Sequence, residues 1–249
     1  MANRRKNKNG GVLTLEETRM TIGTNLSFAA AEAYKLLRTN LNFSLPDVSG
    51  CKIIGVTSAL RGEGKSTTSV NIAYTMAQTG QKVLLLEADM RLPTLSKRLR
   101  VAPAPGLSNL LAGQCNGNDI LQKSGLISNM WVTTAGDIPP NPAELLSSDN
   151  MEVTLKTLAD YFDVIIVDLP PVTAVTDAVV VSKLLQGMIV VVRQNYCDRA
   201  SVDEVIRQLR FVNAKILGFV MTGADTHAKT YKRYGNYGDY KQHGGKDNG

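Results

Sequence analysis

The sequence predicts an α/β fold: one domain with a doubly wound, mainly parallel sheet, helices on both faces, and flexible tails. Three observations predict it. Short, continuously apolar runs alternate with stretches of helical periodicity, as expected of strands buried on both faces. A glycine-rich loop joins the first such run to a helix-compatible stretch. The chain has 249 residues, 43% of them apolar, enough for one domain to bury about two-thirds or more of its unfolded surface.

The elements follow in order. Ser27 is a plausible N-cap for a helix over 28–43, where Ala29, Ala33, Leu36, Leu37 and Leu41 recur at helical spacing. A β-rich run at 52–57 leads through the glycine loop to a helix over 65–78. Further buried strands are predicted at 83–86, 164–167, 188–192 and 216–221, with helices near 143–161, 176–186 and 200–212. Residues 225–249 contain no Val, Leu, Ile, Met, Phe or Trp, so they lack the apolar surface to offset the entropy of ordering. The predicted organisation is a basic, flexible arm over 1–24, a domain over 25–224 and a disordered tail over 225–249.

Charge and composition exclude several classes of function. The net charge of +6 comes from the two ends: residues 1–11 carry four basic and no acidic groups, and the tail five basic and three acidic. The body is neutral, which gives no support for a basic nucleic-acid face. Both histidines, His227 and His243, lie in the tail. The body therefore has no imidazole for a Ser-His-Asp or Cys-His site, and any metal should be oxygen-ligated, magnesium first. Cys51, Cys115 and Cys197 form no CxxC pair, which fits a reducing compartment. No apolar h-region follows the basic N-terminus, and the greasiest stretch, 178–192, is interrupted by Lys183 and Gln186 and is too short to span a bilayer.

Two groups of residues carry the chemistry. In Arg61-Gly62-Glu63-Gly64-Lys65-Ser66-Thr67 the glycines let backbone N–H groups converge on phosphate oxygens, and the following helix N-terminus adds positive potential. Lys65 can reach the β- and γ-phosphates, and the Ser66 hydroxyl can ligate Mg²⁺. Ala59 stands where the usual pattern asks for Gly. The second group lies at strand ends: Glu87, Asp89 and Arg91 after 83–86, and Asp168 after 164–167. Acids leaving buried strands are costly unless a ligand or metal compensates, and open α/β sheets bind ligands at these ends.

These motifs resemble those of the bacterial tyrosine kinases of capsule and exopolysaccharide loci, in their cytosolic, separate-subunit form. Residues 61–67 are similar to the family's Walker A, 84–91 to its Walker A′ and 165–171 to its Walker B. The stretch 136–146 is similar to its proline-rich element, and 32–38 to its Glu-x-x-Arg-x-x-Arg assembly motif, with Lys35 for the first Arg. Glu87 replaces the usual Asp of Walker A′, Arg61 a common Pro, and Thr222-Gly223 an Asn-containing base-holding pattern.

The resemblance implies a P-loop NTPase of the deviant-Walker type, acting with ATP and Mg²⁺ as a protein-tyrosine kinase. It implies a cytoplasmic ring in which one subunit's C-terminal tyrosines enter a neighbour's site. It further implies a transmembrane polysaccharide co-polymerase that activates the kinase and recruits it to the inner face of the membrane, and a cognate tyrosine phosphatase. Lys65 and the amides of 61–67 would hold phosphate, Ser66 the metal directly, and Asp89 and Asp168 the metal through water. Glu87 would engage the incoming hydroxyl, and Arg91 a phosphate or the acceptor.

Tyr231, Tyr234, Tyr237 and Tyr240 recur every three residues, and Gly235 and Gly238 argue against a helical stripe. Beside such a core they are the expected phospho-acceptors; alone, they would equally suit a nonspecific stacking tail. Glu32, Lys35 and Arg38 share one helix face, which reads evenly as a solvated row or a subunit contact; the resemblance implies contact. Two other functions stay open: a partitioning or division-positioning ATPase switch, whose Lys-Gly-Gly pattern Arg61-Gly62-Glu63 does not match, and a noncatalytic nucleotide-binding adaptor.

Overall fold

The computed structural model describes residues 21–45 and 50–224. The four acceptor tyrosines, and with them the predicted tail, lie outside the described residues, as does the arm as far as residue 20. Residues 21–24, placed in the arm by composition, are folded. A 3₁₀ turn at Gly23–Asn25 follows the buried Ile22, and Asn71 anchors it by accepting from the Gly23 amide at 3.0 Å and donating to the Thr21 carbonyl at 2.9 Å.

Helix α1 (Phe28–Ser44) is capped by the Ser27 side chain. It leads to β1 (Lys52–Ser58), α2 (Lys65–Ala77), β2 (Val83–Glu87) and the short α3 (Leu95–Leu99) and α4 (Leu107–Leu111). Then come β3 (Gln122–Lys123), β4 (Met130–Thr133), α5 (Pro142–Ser147), α6 (Asp149–Ala159) and β5 (Val164–Asp168). The described chain ends with α7 (Asp177–Ser182), β6 (Gly187–Arg193), α8 (Arg199–Phe211) and β7 (Ile216–Thr222).

The strands form one sheet in the order β3-β4-β2-β5-β1-β6-β7, parallel throughout except for β3 against β4. Successive side chains of a strand enter opposite faces. Leu84, Leu86, Ile165 and Val167 therefore pack with α4–α8 on one side, while Val83, Leu85, Val164 and Ile166 pack with α2 and α1 on the other. Helix α2 is buried along almost its whole length, because it sits over the middle of the sheet and is itself covered by α1. The predicted helix over 143–161 is two helices, since Ser148 takes an extended conformation at ψ 156° and divides them.

This topology positions the site. In-register pairing sets Glu87 beside Asp168, and Asp168 beside Val56. The carboxyl ends of β2, β5 and β1 therefore open at one place, where the chain crosses from the β2 side of β1 to the β6 side.

Candidate active site

Gly62 and Gly64 have φ of +88° and +91°, left-handed values that favour glycine. Three side chains from the β6–β7 side hold the loop's carbonyls. The Tyr196 hydroxyl donates to the Arg61 carbonyl (2.9 Å), Arg193 Nη1 to that of Gly62 (3.3 Å) and Thr222 Oγ1 to that of Glu63 (2.6 Å). A trans peptide points its N–H opposite to the preceding carbonyl, so the amides of Gly62, Glu63 and Gly64 face away from these three groups, as a phosphate cradle requires. The Glu63 side chain, also counted in the cradle by its motif position, is fully buried and braces the loop instead, accepting from the amides of Leu60 and Arg193. Ala59 has no exposed surface and belongs to the core, which accounts for a methyl at that position. Replacing Tyr196 with Phe removes one carbonyl anchor worth about 1 kcal/mol. A roughly fivefold weaker affinity for MgATP is expected in a fluorescent-nucleotide titration, with a melting temperature lowered by no more than about 2–4 °C.

Lys65 and the acids come together as predicted. Lys65 Nζ lies 2.7 Å from Asp89 Oδ2, 3.4 Å from Ser66 Oγ and 4.0 Å from Asp168 Oδ1. Burial alone would lower the Lys65 pKa, but the carboxylates of Asp168 and Asp89 more than offset it and raise it above the ordinary lysine value. Burial pushes Asp168 up, opposed by Lys65, Ser66 and Ser69. Ser69 donates to Asp168 Oδ1 at 2.9 Å, whereas Asp168 Oδ2 is buried without a hydrogen-bond partner among the described residues. An unpaired buried carboxylate oxygen is costly, and a cation or its bound water would satisfy it. The residues thus fit magnesium. Among the described residues, no three His, Cys, Asp or Glu side chains cluster closely enough to hold a metal ion by themselves.

Two predicted site residues are engaged away from the cradle. Glu87 is fully buried, and its carboxylate accepts from three main-chain amides: Thr94 (2.5 Å) and Leu95 (2.8 Å) on one oxygen, Ala135 (3.1 Å) on the other. Burial pushes its pKa up to about 7 against the amides of Leu95 and Thr94, which hold it down. A carboxylate so enclosed is not presented to an incoming hydroxyl; the methylene that distinguishes it from Asp lets it reach α3. Arg91 forms a two-pronged pair with the buried Asp177 at the start of α7 (2.9 and 3.1 Å). The Asp177 bond raises its pKa. This pairing ties the guanidinium to α7 rather than to the cradle.

On α1, Glu32 and Lys35 are exposed and pair with each other at 2.7 Å, a contact worth little in water. Arg38 turns inward and donates to the Thr75 carbonyl of α2 at 2.8 Å. Sequence reasoning missed Arg193 and Tyr196 as loop anchors, and Arg98, whose Nη1 donates to Thr67 Oγ1 at 3.1 Å. Nothing in their local sequence announces these contacts, which join residues 31 to 135 positions apart.

Comparison with known proteins gives a consistent result. A family model described as an AAA domain matches residues 51–217. The chain is 33% identical to the tyrosine-protein kinase CpsD of Streptococcus agalactiae, over 83% of this chain and 89% of that protein. It is 34% identical to the tyrosine-protein kinase YwqD of Bacillus subtilis, over 88% of each. The solved kinase domain of the Escherichia coli tyrosine kinase ETK superposes with a TM-score of 0.79 at 31% identity, covering 91% of this chain and 85% of that one. Cobyrinic acid a,c-diamide synthase of Mycobacterium smegmatis, solved with ADP and magnesium, is 20% identical and shares the fold, with a TM-score of 0.62 over 78% of this chain and 82% of that one. A Lys65–Asp89–Asp168 cluster at a glycine cradle, an AAA-domain match over most of the chain and these levels of identity to named kinases show that the chain belongs to the bacterial tyrosine kinases.

Proposed function

We propose that this protein is an ATP-dependent protein-tyrosine kinase that phosphorylates its own C-terminal cluster, Tyr231, Tyr234, Tyr237 and Tyr240, in trans within a ring of identical subunits. The observation that carries this reading is Lys65 standing between two buried carboxylates at the mouth of a glycine cradle, with one Asp168 oxygen unpaired among the described residues.

The amides of 61–67 and Lys65 bind and orient the phosphates. Ser66, Asp89 and Asp168 would hold the metal. Magnesium held there would supply positive charge against the charge that accumulates on the γ-phosphoryl group. A phosphate in the cradle would compete with Asp89 for Lys65 and free the Asp89 carboxylate for the metal. Free tyrosine has a pKa near 10, so its proton must be taken up as transfer proceeds at neutral pH. The tail is about +2 unmodified, and four phosphotyrosines would add roughly −6 to −8. Phosphorylation would then repel it from an acid-lined cleft and loosen the ring, with the exposed Glu32–Lys35 face of α1 as subunit contact.

Resemblance to the capsule and exopolysaccharide kinases supports a wider setting. The protein would act in the cytoplasm, meet the membrane through a transmembrane co-polymerase that activates it, and be reversed by a tyrosine phosphatase. Among the described residues no helix is long and apolar enough to cross a membrane.

Incubation of the full chain with magnesium and ATP, followed by phosphotyrosine mapping, tests the reading. Phosphate should map to 231–240, and changing the four tyrosines to Phe should remove most phosphotyrosine while leaving MgATP affinity unchanged. ATP hydrolysis with no phosphotyrosine would favour a nucleotide-gated switch instead.

A further inference from the structure

The best-satisfied acid of the site is not the one that faces the cradle. Glu87 has no exposed surface, and its three donors come from two separate segments: Thr94 and Leu95, where α3 begins, and Ala135, just after β4. Both are thereby fixed to the tip of β2. Helix α3 is only five residues long, too short to be stable on its own; its orientation depends on such ties.

Arg98 is what α3 carries toward the cradle. Its Nε donates to Thr94 Oγ1 at 3.1 Å, and Nη1 to Thr67 Oγ1 at 3.1 Å. Thr94 is thus held at its amide by Glu87 and at its hydroxyl by Arg98, and Thr67 lies in the first turn of α2, two residues beyond Lys65. The guanidinium is largely enclosed: burial lowers its pKa, opposed by the carboxylates of Asp168 and Glu87. An arginine keeps its charge there, and after these two bonds its fork still has N–H donors. The connection runs from the Glu87 carboxylate to the Thr94 amide, from the Thr94 hydroxyl to Arg98, and from Arg98 to Thr67.

We propose that Glu87 is a positioning residue, pinning α3 so that Arg98 stands beside Thr67 as a second fixed cation, next to Lys65, for the phosphates of the bound nucleotide. The inference rests on the kinase reading above and deepens it. It assigns the Walker A′ position of this chain to scaffolding, and gives phosphate recognition a residue outside all three motifs. It also explains the longer side chain: an aspartate at 87 would be one methylene short of the α3 amides.

The two roles open to Glu87 predict opposite orders for its two conservative substitutions. In Glu87→Gln the amide oxygen still accepts from Thr94 and Leu95, and only the Ala135 bond is lost. In Glu87→Asp the charge is kept and the reach is lost. If Glu87 positions Arg98, Glu87→Gln should stay within about threefold of wild type in kcat and in MgATP affinity. Glu87→Asp and Arg98→Ala should each lose about tenfold or more in affinity and in kcat/KM. Arg98→Lys should recover only part of that loss, because an ammonium cannot reproduce the fork. The double variant Glu87→Asp/Arg98→Ala should be no worse than Arg98→Ala, since both changes remove one unit.

Affinity is read by fluorescent-nucleotide titration of the full chain with magnesium, turnover by phosphotyrosine formation, and folding by thermal melts. If Glu87 were the proton acceptor, Glu87→Gln would lose about 10²–10⁴-fold in kcat at unchanged MgATP affinity, with Glu87→Asp the more active; that order overturns the proposal. Additive losses in the double variant, or full MgATP affinity in a folded Arg98→Ala, overturn it as well. Should Glu87→Asp not fold, Glu87→Gln and Arg98→Ala still decide. A wild-type protein that binds MgATP but forms no phosphotyrosine would sink the kinase reading, while the affinities of the Arg98 and Glu87 variants would still test this one.

Discussion

Lys65→Met is expected to abolish autophosphorylation and to weaken the fold without dissolving it. Its ammonium is the cation 2.7 Å from Asp89 and 4.0 Å from Asp168, and it is the side chain aimed at the transferring phosphate. Loss of one preorganised charge at a reacting centre costs about 10²–10³ in kcat, and methionine fills much of the same volume. The variant also leaves two carboxylates facing each other in a buried setting. Removing one partner of a buried pair costs about 3 kcal/mol or more, a drop of roughly 6–12 °C in melting temperature for a domain of this size. Magnesium should restore part of that loss in the variant, because a divalent ion binding the same acids in the folded state stabilises it. Phosphotyrosine blotting and melts with and without magnesium check both parts. Phosphotyrosine forming at close to the wild-type rate would remove Lys65 from the mechanism, and an unchanged melting temperature would show that the acids do not depend on it.

Gly106→Ala is expected to give the largest loss of stability among single-methyl changes. A Cβ at Gly106 would lie 2.3 Å from the Gly136 amide nitrogen and 2.4 Å from the Thr134 carbonyl oxygen. Both are main-chain atoms, which cannot rotate aside as a side chain can. Here the start of α4 is knitted to the segment after β4: the Leu107 amide donates to the Thr134 carbonyl at 2.9 Å and that of Ser108 to the Ala135 carbonyl at 2.8 Å. Asn109 adds a bond to the Asp137 carboxylate at 2.8 Å. Separating these segments should cost about 3 kcal/mol, the upper end for an overpacked site, or roughly 6–12 °C. A variant that melts within about 2 °C of wild type would show that the segments separate at little cost.

Much of this was legible in the sequence. Strands β1, β2, β5 and β6 are short apolar runs buried on both faces, and such a run in a chain of this size has few alternatives to the interior of a parallel sheet. The glycine loop was legible because the need for left-handed backbone at 62 and 64 is written in residue identity. Strands β3 and β4 were not. One has two residues and the other four, at the sheet edge, and neither has the length for a periodic signal. Residues 21–24 were missed because their order comes from one buried asparagine far along the chain, not from their own composition.

The candidate site divides in the same way. Lys65, Asp89 and Asp168 could be named in advance because acids leaving buried strands beside a phosphate loop have few other uses. Glu87 and Arg91 share that pattern, yet their partners, the amides at 94, 95 and 135 and the carboxylate of Asp177, come from elements that meet them only once the sheet is ordered.

The amino-acid sequence by itself determined the class of fold, the phosphate loop and the acids at the strand tips, because each depends on local demands: apolar periodicity, glycine's free backbone and the cost of burying charge. Only the tertiary structure decided which acid faces the cradle, which is spent on main-chain amides, and which distant side chains turn the loop's N–H groups toward a phosphate. Hydrogen bonds are short and directional, so their assignment follows from the packing of the elements and leaves no periodic trace along the chain.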